Sequence, residues 1–385
     1  MENHLQNCIA SLMTARAVAA ISGIQLIGAG SADIMKSIFR PAGKMNVDLS
    51  KGRILHGFIF DGGRDIDEVV IGCEDKDVFS INCHGNPLIV ENILELLKTR
   101  GAKIAEPQEV LVFLGRQKYG DNTIAIEAGI ALTQSATLDG AKIIAHQTKM
   151  GLLQTAQWWL KNLSVFELDD IKAGAAQILS DSKIAYFFIK GAKVVIAGPP
   201  NSGKSTLFNY LCGKQKAIVT DIAGTTRDWL SAQIRLRKIT AEFFDTAGLD
   251  ETLSGKSIVD AESQKQAVEL IEKCDIVLFI LDATERDKPA GFGLAAKKEL
   301  VVLNKCDLLK DLSFEGLKIS AKTGQGVDKL VAAIEKALQV SDFDVKKTVC
   351  FTDRQRKVLE QIASAETKQQ TKGLITELLK GAVFV

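Results

Sequence analysis

The run Gly198-Pro199-Pro200-Asn201-Ser202-Gly203-Lys204-Ser205 constrains this chain more than any other feature. It has the spacing G-x-x-x-x-G-K-[ST] and follows an apolar strand at 193–197. A helical run from 205 to 211 comes next and stops at Gly213. Strand, loop and helix in that order are the context a phosphate-binding loop needs. The glycines let the backbone curl until its N–H groups converge on phosphate oxygens, and the helix N-terminus adds positive partial charge there. Ser202, Gly203 and Thr206 belong to this cradle, Lys204 is expected at the outer phosphates, and the Ser205 hydroxyl at a magnesium ion. A glycine-rich turn that matches by chance is the rival reading of such a loop taken alone.

Further signals follow in a fixed order, most of them at the ends of apolar runs. Asp245-Thr246-Ala247-Gly248 follows residues 241–244. An aspartate at a strand end can hold magnesium through water, and Gly248 can turn its N–H to a terminal phosphate. Asn304-Lys305-Cys306-Asp307 follows the strand at 300–303. A carboxylate such as Asp307 accepts both the N1–H and the N2 amino group of guanine, a pair that adenine cannot offer. Ser320-Ala321-Lys322 is expected to close over the base. Gly224-Thr225-Thr226 lies between the loop and Asp245, where a threonine such as Thr226 adds a second magnesium ligand. The combination reads as a GTP/GDP site, against a P-loop scaffold serving another ligand.

The 385 residues suggest two or three domains, and a net charge of +1 announces no global attraction to nucleic acid. Seven scattered cysteines form no C-x-x-C pair, and their odd number argues against a disulfide framework. A reducing cytoplasmic setting fits that usage. Apolar runs such as 276–281 are too short to span a bilayer, and the N-terminus has no basic and apolar leader pattern, so no membrane role is expected.

Periodicity divides the chain into a small α+β domain (1–117), two helical stretches (118–190 and 343–385) and a nucleotide domain between them (191–342), the helical stretches being expected to form one discontinuous domain around an inserted GTPase domain. The last alternates strands and helices, which predicts an α/β fold with a doubly wound, mostly parallel sheet. Residues 88–99 read as an amphipathic helix, 78–83 as a strand, and 354–379 as returning to helix. Gly140 and Gly151 are weak points of the first helical stretch, where residues 158–160 are expected to pack a bundle.

Several tracts resemble the MnmE (TrmE) family of tRNA-modification GTPases. These are Pro200-Asn201-Ser202-Gly203-Lys204-Ser205, the stretch 217–228, Cys83-His84-Gly85, Ala105-Glu106-Pro107 and Phe351-Thr352-Asp353-Arg354. The resemblance implies a GTP hydrolase acting in wobble-uridine modification. It places Thr220, Asp221, Ile222, Ala223, Gly224, Thr225 and Thr226 around the nucleotide. A potassium ion is implied beside Asn201, Thr220, Ile222 and Thr225. It also implies a homodimer through the N-terminal domain, a flavin-dependent partner and tRNA. Leu249 stands where many GTPases carry a water-orienting glutamine. The family uses a switch II glutamate instead, and alignment from Val259 puts Asp260 there, with Glu262 and Glu251 as rivals.

Three departures predict weak binding of the family's folate donor, 5-formyltetrahydrofolate, and a chain that cannot alone support full wobble-uridine modification. Ala20 stands at the expected arginine, Glu74-Asp75-Lys76-Asp77 replaces the "TGED" tract, and no C-terminal "CxGK" motif is present. They leave a second reading open, a divergent regulatory switch associated with RNA or ribosomes. A third reading, nucleotide-binding scaffold with little hydrolysis, rests on Leu249 and on Asp260 being one methylene shorter than the family's glutamate.

Overall fold

The structure, a computed structural model, describes residues 8–43, 47–214, 230–245, 270–285, 298–309 and 316–383. Two compact units emerge, Met1–Ile130 with Ala382–Val385, and Ala131–Gly381.

The first unit is built on a seven-stranded sheet. Its strands are β1 (Ile9–Leu12), β2 (Ile21–Ile27), β3 (Phe39–Pro41), β4 (Ile54–Asp61), β5 (Arg64–Asp75), β6 (Val78–His84) and β7 (Lys103–Ile104), ordered β3-β4-β5-β6-β2-β1-β7. All pairs are antiparallel except β1 with β7. Side chains alternate across a strand. Leu55 and Ile59 of β4, Val69, Ile71 and Cys73 of β5, and Phe79, Ile81 and Cys83 of β6 therefore join one core. The helices α1 (Ser31–Ile38) and α2 (Pro87–Thr99) supply Met35, Ile38, Ile93 and Leu97 to it. α2 starts where its residues dictate: Asn86 accepts the Leu88 N–H at 2.9 Å, and Pro87 occupies the first turn. α3 (Pro107–Tyr119) runs through position 117 and packs Val110, Phe113 and Leu114 beside Ile9, Ile27 and Val78. α4 (Thr123–Thr133) follows it.

The second unit contains the expected α/β layer. Its strands are β8 (Ala192–Ala197), β9 (Leu230–Arg235), β10 (Thr240–Asp245), β11 (Ile276–Asp282), β12 (Lys298–Asn304) and β13 (Leu317–Lys318). Their order is β13-β12-β11-β8-β10-β9, and only β9 runs antiparallel to its neighbour. β11 is buried along its whole length, as a central strand covered on both faces must be. α8 (Lys204–Lys214) lies on β8, β9 and β10, and α9 (Val327–Ala337) on β12.

Helices from both sides of this layer in sequence pack together. α5 (Leu138–Gln147) and α7 (Leu168–Ile189) meet, α10 (Asp353–Ala363) lies on α7, and α11 (Lys368–Lys380) lies on α10 and α6 (Leu152–Lys161). Residues 354–379 are thus two helices. The Ser364 hydroxyl bonds back to the Glu360 carbonyl, and Thr367 accepts the Gln370 N–H at 3.1 Å to start a new helix. Gly140 does not break α5. A Cβ there would collide with the Phe188 carbonyl oxygen, so glycine is what lets α5 approach the end of α7. Trp159 is buried as expected, but Trp158 is 53% exposed and meets Phe166 edge-on at 4.3 Å.

The buried Gln147 closes the bundle. Its amide donates to the carbonyls of Ile143 and Lys347, both at 3.0 Å, and accepts from the N–H of Leu152 at 3.0 Å and of Val349 at 3.1 Å. Asp181 pairs with Lys347 at 2.6 Å, and the rings of Phe188 and Phe343 lie 5.6 Å apart.

Candidate nucleotide-binding site

The carboxyl ends of β8, β10, β11 and β12 meet at one edge of the parallel sheet, on either side of the central β8. Chain leaving adjacent strands in opposite directions opens a crevice there, and ligands of such sheets occupy it.

The loop after β8 has the backbone that a phosphate cradle requires. Gly198 has φ 143°, and a Cβ on it would run into the Ile280 carbonyl oxygen. Gly203 has φ 94°, and a Cβ there would strike the Asn304 amide. Asn201 adopts a left-handed φ of 61° and is exposed. Lys204, 5% exposed, donates from Nζ to the carbonyls of Gly198 and Pro199, each at 2.9 Å. Its ammonium thereby stands over the loop. Ser205 and Thr206 are exposed on the first turn of α8, while Ser202 is buried with no partner for Oγ among the described residues.

Asp245 ends β10 level with Ile196 of β8. It is 4% exposed, and neither carboxylate oxygen has a hydrogen-bond partner among the described residues. A buried, unpaired carboxylate beside the loop, with an open Ser205 hydroxyl at the start of α8, is a donor set that suits a hydrated divalent cation. The residues present therefore fit magnesium.

Asn304 ends β12 and ties the site together. Its Nδ2 donates to the Ser202 carbonyl at 2.8 Å, and its Oδ1 accepts the Ala321 N–H at 2.8 Å. The Ser320-Ala321-Lys322 loop is thereby held to the phosphate loop. Ser320 and Ala321 are buried, and Lys322 is exposed. Lys305 has a left-handed φ of 63°. Cys306 donates its N–H to the Ile319 carbonyl at 3.1 Å, and Asp307 presents an exposed carboxylate on the short 3₁₀ turn that follows.

The structure thus places Ser202, Gly203, Lys204, Ser205, Asp245, Asn304, Lys305, Asp307 and Ala321 in the loops and strand ends at one edge of the sheet. Thr220, Asp221, Ile222, Ala223, Gly224, Thr225, Thr226, Thr246, Ala247, Gly248, Leu249, Glu251, Asp260 and Glu262 lie outside the described residues. Asp282 was not among the residues singled out from the sequence. It ends β11 opposite Asn304, and its Oδ2 lies 2.6 Å from Lys305 Nζ. Burial pushes its carboxyl up, but the Lys305 ammonium and the two Thr284 donors outweigh this and leave it below the usual carboxylate range. The signal was available: like Asp245 and Asn304, Asp282 is a polar residue closing an apolar strand.

At the end of β6, His84 donates its backbone N–H to Asp67 at 2.8 Å, and its Nδ1 lies 2.8 Å from the other Asp67 oxygen. Gly85 donates to the Ala20 carbonyl at 3.2 Å and accepts the Ala19 N–H at 3.0 Å. The exposed 14–20 loop is pinned there, with a methyl group at position 20.

The parallel sheet, the glycine-bent loop after β8, the Asp245 carboxylate without a partner among the described residues and the Asn304–Asp307 turn together define a P-loop protein of the GTPase class. Residues 193–305 match the family model described as 50S ribosome-binding GTPase, and residues 8–110 match that of the GTP-binding protein TrmE N-terminus. The chain is 30% identical over 399 residues to the tRNA modification GTPase MnmE of Thermotoga petrophila, covering 92% of this chain and 87% of that one. It is 29% identical over 371 residues to its counterpart in Aquifex aeolicus (85% and 81% covered). With that of Enterococcus faecalis it shares 30% identity over 374 residues (85% and 80%). The chain belongs to the tRNA modification GTPase MnmE family and is a GTP-hydrolysing enzyme that uses magnesium. Among the described residues no helix is long and apolar enough to cross a membrane.

Proposed function

We propose that this chain hydrolyses GTP in a conformational cycle that serves tRNA modification at the wobble uridine, in the cytoplasm. The observation that carries the site is the buried Asp245 carboxylate beside the phosphate loop, unpaired among the described residues. Ser205 and Thr226 would hold the magnesium ion directly and Asp245 through water. When bound, the ion offsets charge on the phosphate oxygens. Lys204 exchanges its two loop carbonyls for phosphate oxygens, and the loop N–H groups hold the remainder. Asp307 accepts the guanine N1–H and N2 amino group, and Ser320 to Lys322 cover the base. Asp260 or Glu262 orients the attacking water, because Leu249 has no polar atom with which to do so.

The reading extends to a potassium ion held by Asn201 and by Thr220, Ile222 and Thr225, which offsets charge much as an arginine finger does elsewhere. The exposed, left-handed Asn201 supports this, since it stands at the open surface of the loop. The N-terminal domain (1–117) forms the homodimer, and a flavin-dependent partner supplies the redox chemistry on tRNA. The packing of α10 on α7 and of α11 on α6 supports one helical domain, 118–190 plus 343–385, around the 191–342 GTPase domain. The N-terminal domain binds 5-formyltetrahydrofolate weakly, since the pinned 14–20 loop offers a methyl group at position 20 where an anion needs a cation.

GTP turnover at matched ionic strength in potassium and in sodium, with and without total tRNA and the flavin partner, tests the reading. Faster turnover in potassium, a difference flattened by Asn201→Ala, and a response to tRNA are expected. Equal binding of ATP and GTP overturns the guanine assignment, and identical rates in the two salts overturn the potassium site. Ribosome co-sedimentation without any tRNA response would point to an RNA-associated switch instead.

A further inference from the structure

Asp282 has no part in the function described above. It is 8% exposed and stands level with Asn304 across the β11–β12 ladder. Oδ1 accepts both the Thr284 N–H, at 2.8 Å, and the Thr284 hydroxyl, at 2.7 Å. Oδ2 holds the Lys305 ammonium at 2.6 Å. Lys305 has φ 63° and ψ 30°, a left-handed conformation that a residue with a Cβ adopts only at a cost. That turn leads the chain from the end of β12 into the short 3₁₀ turn that carries Asp307.

Two anchors therefore fix the Asn304–Asp307 turn. The Asn304 side chain ties its start to Ser202 and Ala321. Asp282 ties its second residue by the far end of a long side chain that would otherwise sample many rotamers in water. The carboxylate is itself held by Thr284, so it cannot follow the lysine outward.

We propose that Asp282 is a positioning residue for guanine-nucleotide binding: pinned by Thr284, it grips the Lys305 ammonium and keeps the left-handed turn set, so that Asp307 meets the base without having to be ordered first. The inference rests on the reading that Asn304–Asp307 recognises guanine. Pre-ordering lowers the cost of binding rather than the barrier of the chemical step. GDP and GTP affinities are then affected together, and turnover at saturation is spared.

The test is a double-mutant cycle read by titration with a fluorescent GDP analogue, on the full chain, using Asp282→Asn, Lys305→Met and the double variant. Asp282→Asn is expected to raise Kd about tenfold, the loss typical of a charged hydrogen bond. kcat at saturating GTP stays within about twofold, and on the Lys305→Met background the substitution adds less than about twofold. An unchanged Kd overturns the proposal. So does a full tenfold loss on the Lys305→Met background, because the effect would then run through the fold rather than through Lys305. If wild-type protein binds ADP as well as GDP, the guanine reading itself fails. If it prefers GDP while Asp282→Asn binds normally, only this inference fails. Should Asp282→Asn not fold, Thr284→Val tests the same pin, with a Kd about threefold higher that vanishes on the Lys305→Met background. Unchanged affinity of Thr284→Val would then overturn the proposal.

Discussion

Asp245 is buried with both carboxylate oxygens unpaired among the described residues. Leaving such a group unsatisfied costs about 1–3 kcal/mol, more when it is charged, and a cation with its water shell relieves that cost. Asp245→Asn is therefore expected to make metal-free protein about 1–2 kcal/mol more stable, measured by urea unfolding in EDTA. The same variant loses magnesium-dependent turnover. Cysteines make a second residue-level prediction. Burial, helped by nearby Asp77, pushes Cys8 from 9.0 to about 11, and burial with nearby Asp67 does the same to Cys83. Between these values the unfolded chain gives up protons that the folded chain retains, so stability falls as pH rises from 9 to 11. Chemical denaturation across that window, compared with a Cys8→Ser and Cys83→Ser variant, is expected to show the slope flatten.

At the scale of elements, Gln147 makes four hydrogen bonds, and two of them, to Lys347 and Val349, join the end of α5 to the chain beyond the nucleotide layer. Gln147→Leu keeps the volume but strands the Lys347 carbonyl and the N–H groups of Leu152 and Val349, while the Ile143 carbonyl keeps its helical bond. A loss of about 3–5 kcal/mol is expected in thermal or urea unfolding, against less than about 1 kcal/mol for an exposed control such as Gln369→Leu on α11. The phosphate loop, the strands before it and α2 were legible in the sequence because their signals are local: a cap, a period, a glycine spacing. Gln147 was not, since its partners Lys347 and Val349 lie two hundred residues away. Asp282 was missed for a related reason. Its role depends on a lysine on the neighbouring strand's loop, and only the sheet register brings the two together. The division of α10 from α11 rests on Ser364 and Thr367, whose hydroxyls compete locally with helix bonds while the flanking apolar pattern continues.

At the scale of the whole molecule, the family's nucleotide machinery and its one-carbon site are predicted to have parted ways. Calorimetry with 5-formyltetrahydrofolate is expected to show affinity at least about tenfold weaker for this chain than for its Ala20→Arg variant, since a charged hydrogen bond is worth about 1.5–3 kcal/mol. GTP binding by the two is expected to be the same, and micromolar folate binding by the wild type would refute the expectation. The meeting of Phe188 with Phe343 has another consequence. The chain leaves the helical bundle and returns to it at nearly one point, so the intervening nucleotide layer is, to the bundle, a single very long surface excursion. The entropy of closing such an excursion grows only with the logarithm of its length. The bundle can therefore tolerate its excision and replacement by a short flexible bridge. A fold with that property can acquire a molecular timer by insertion, without redesigning the scaffold that receives it.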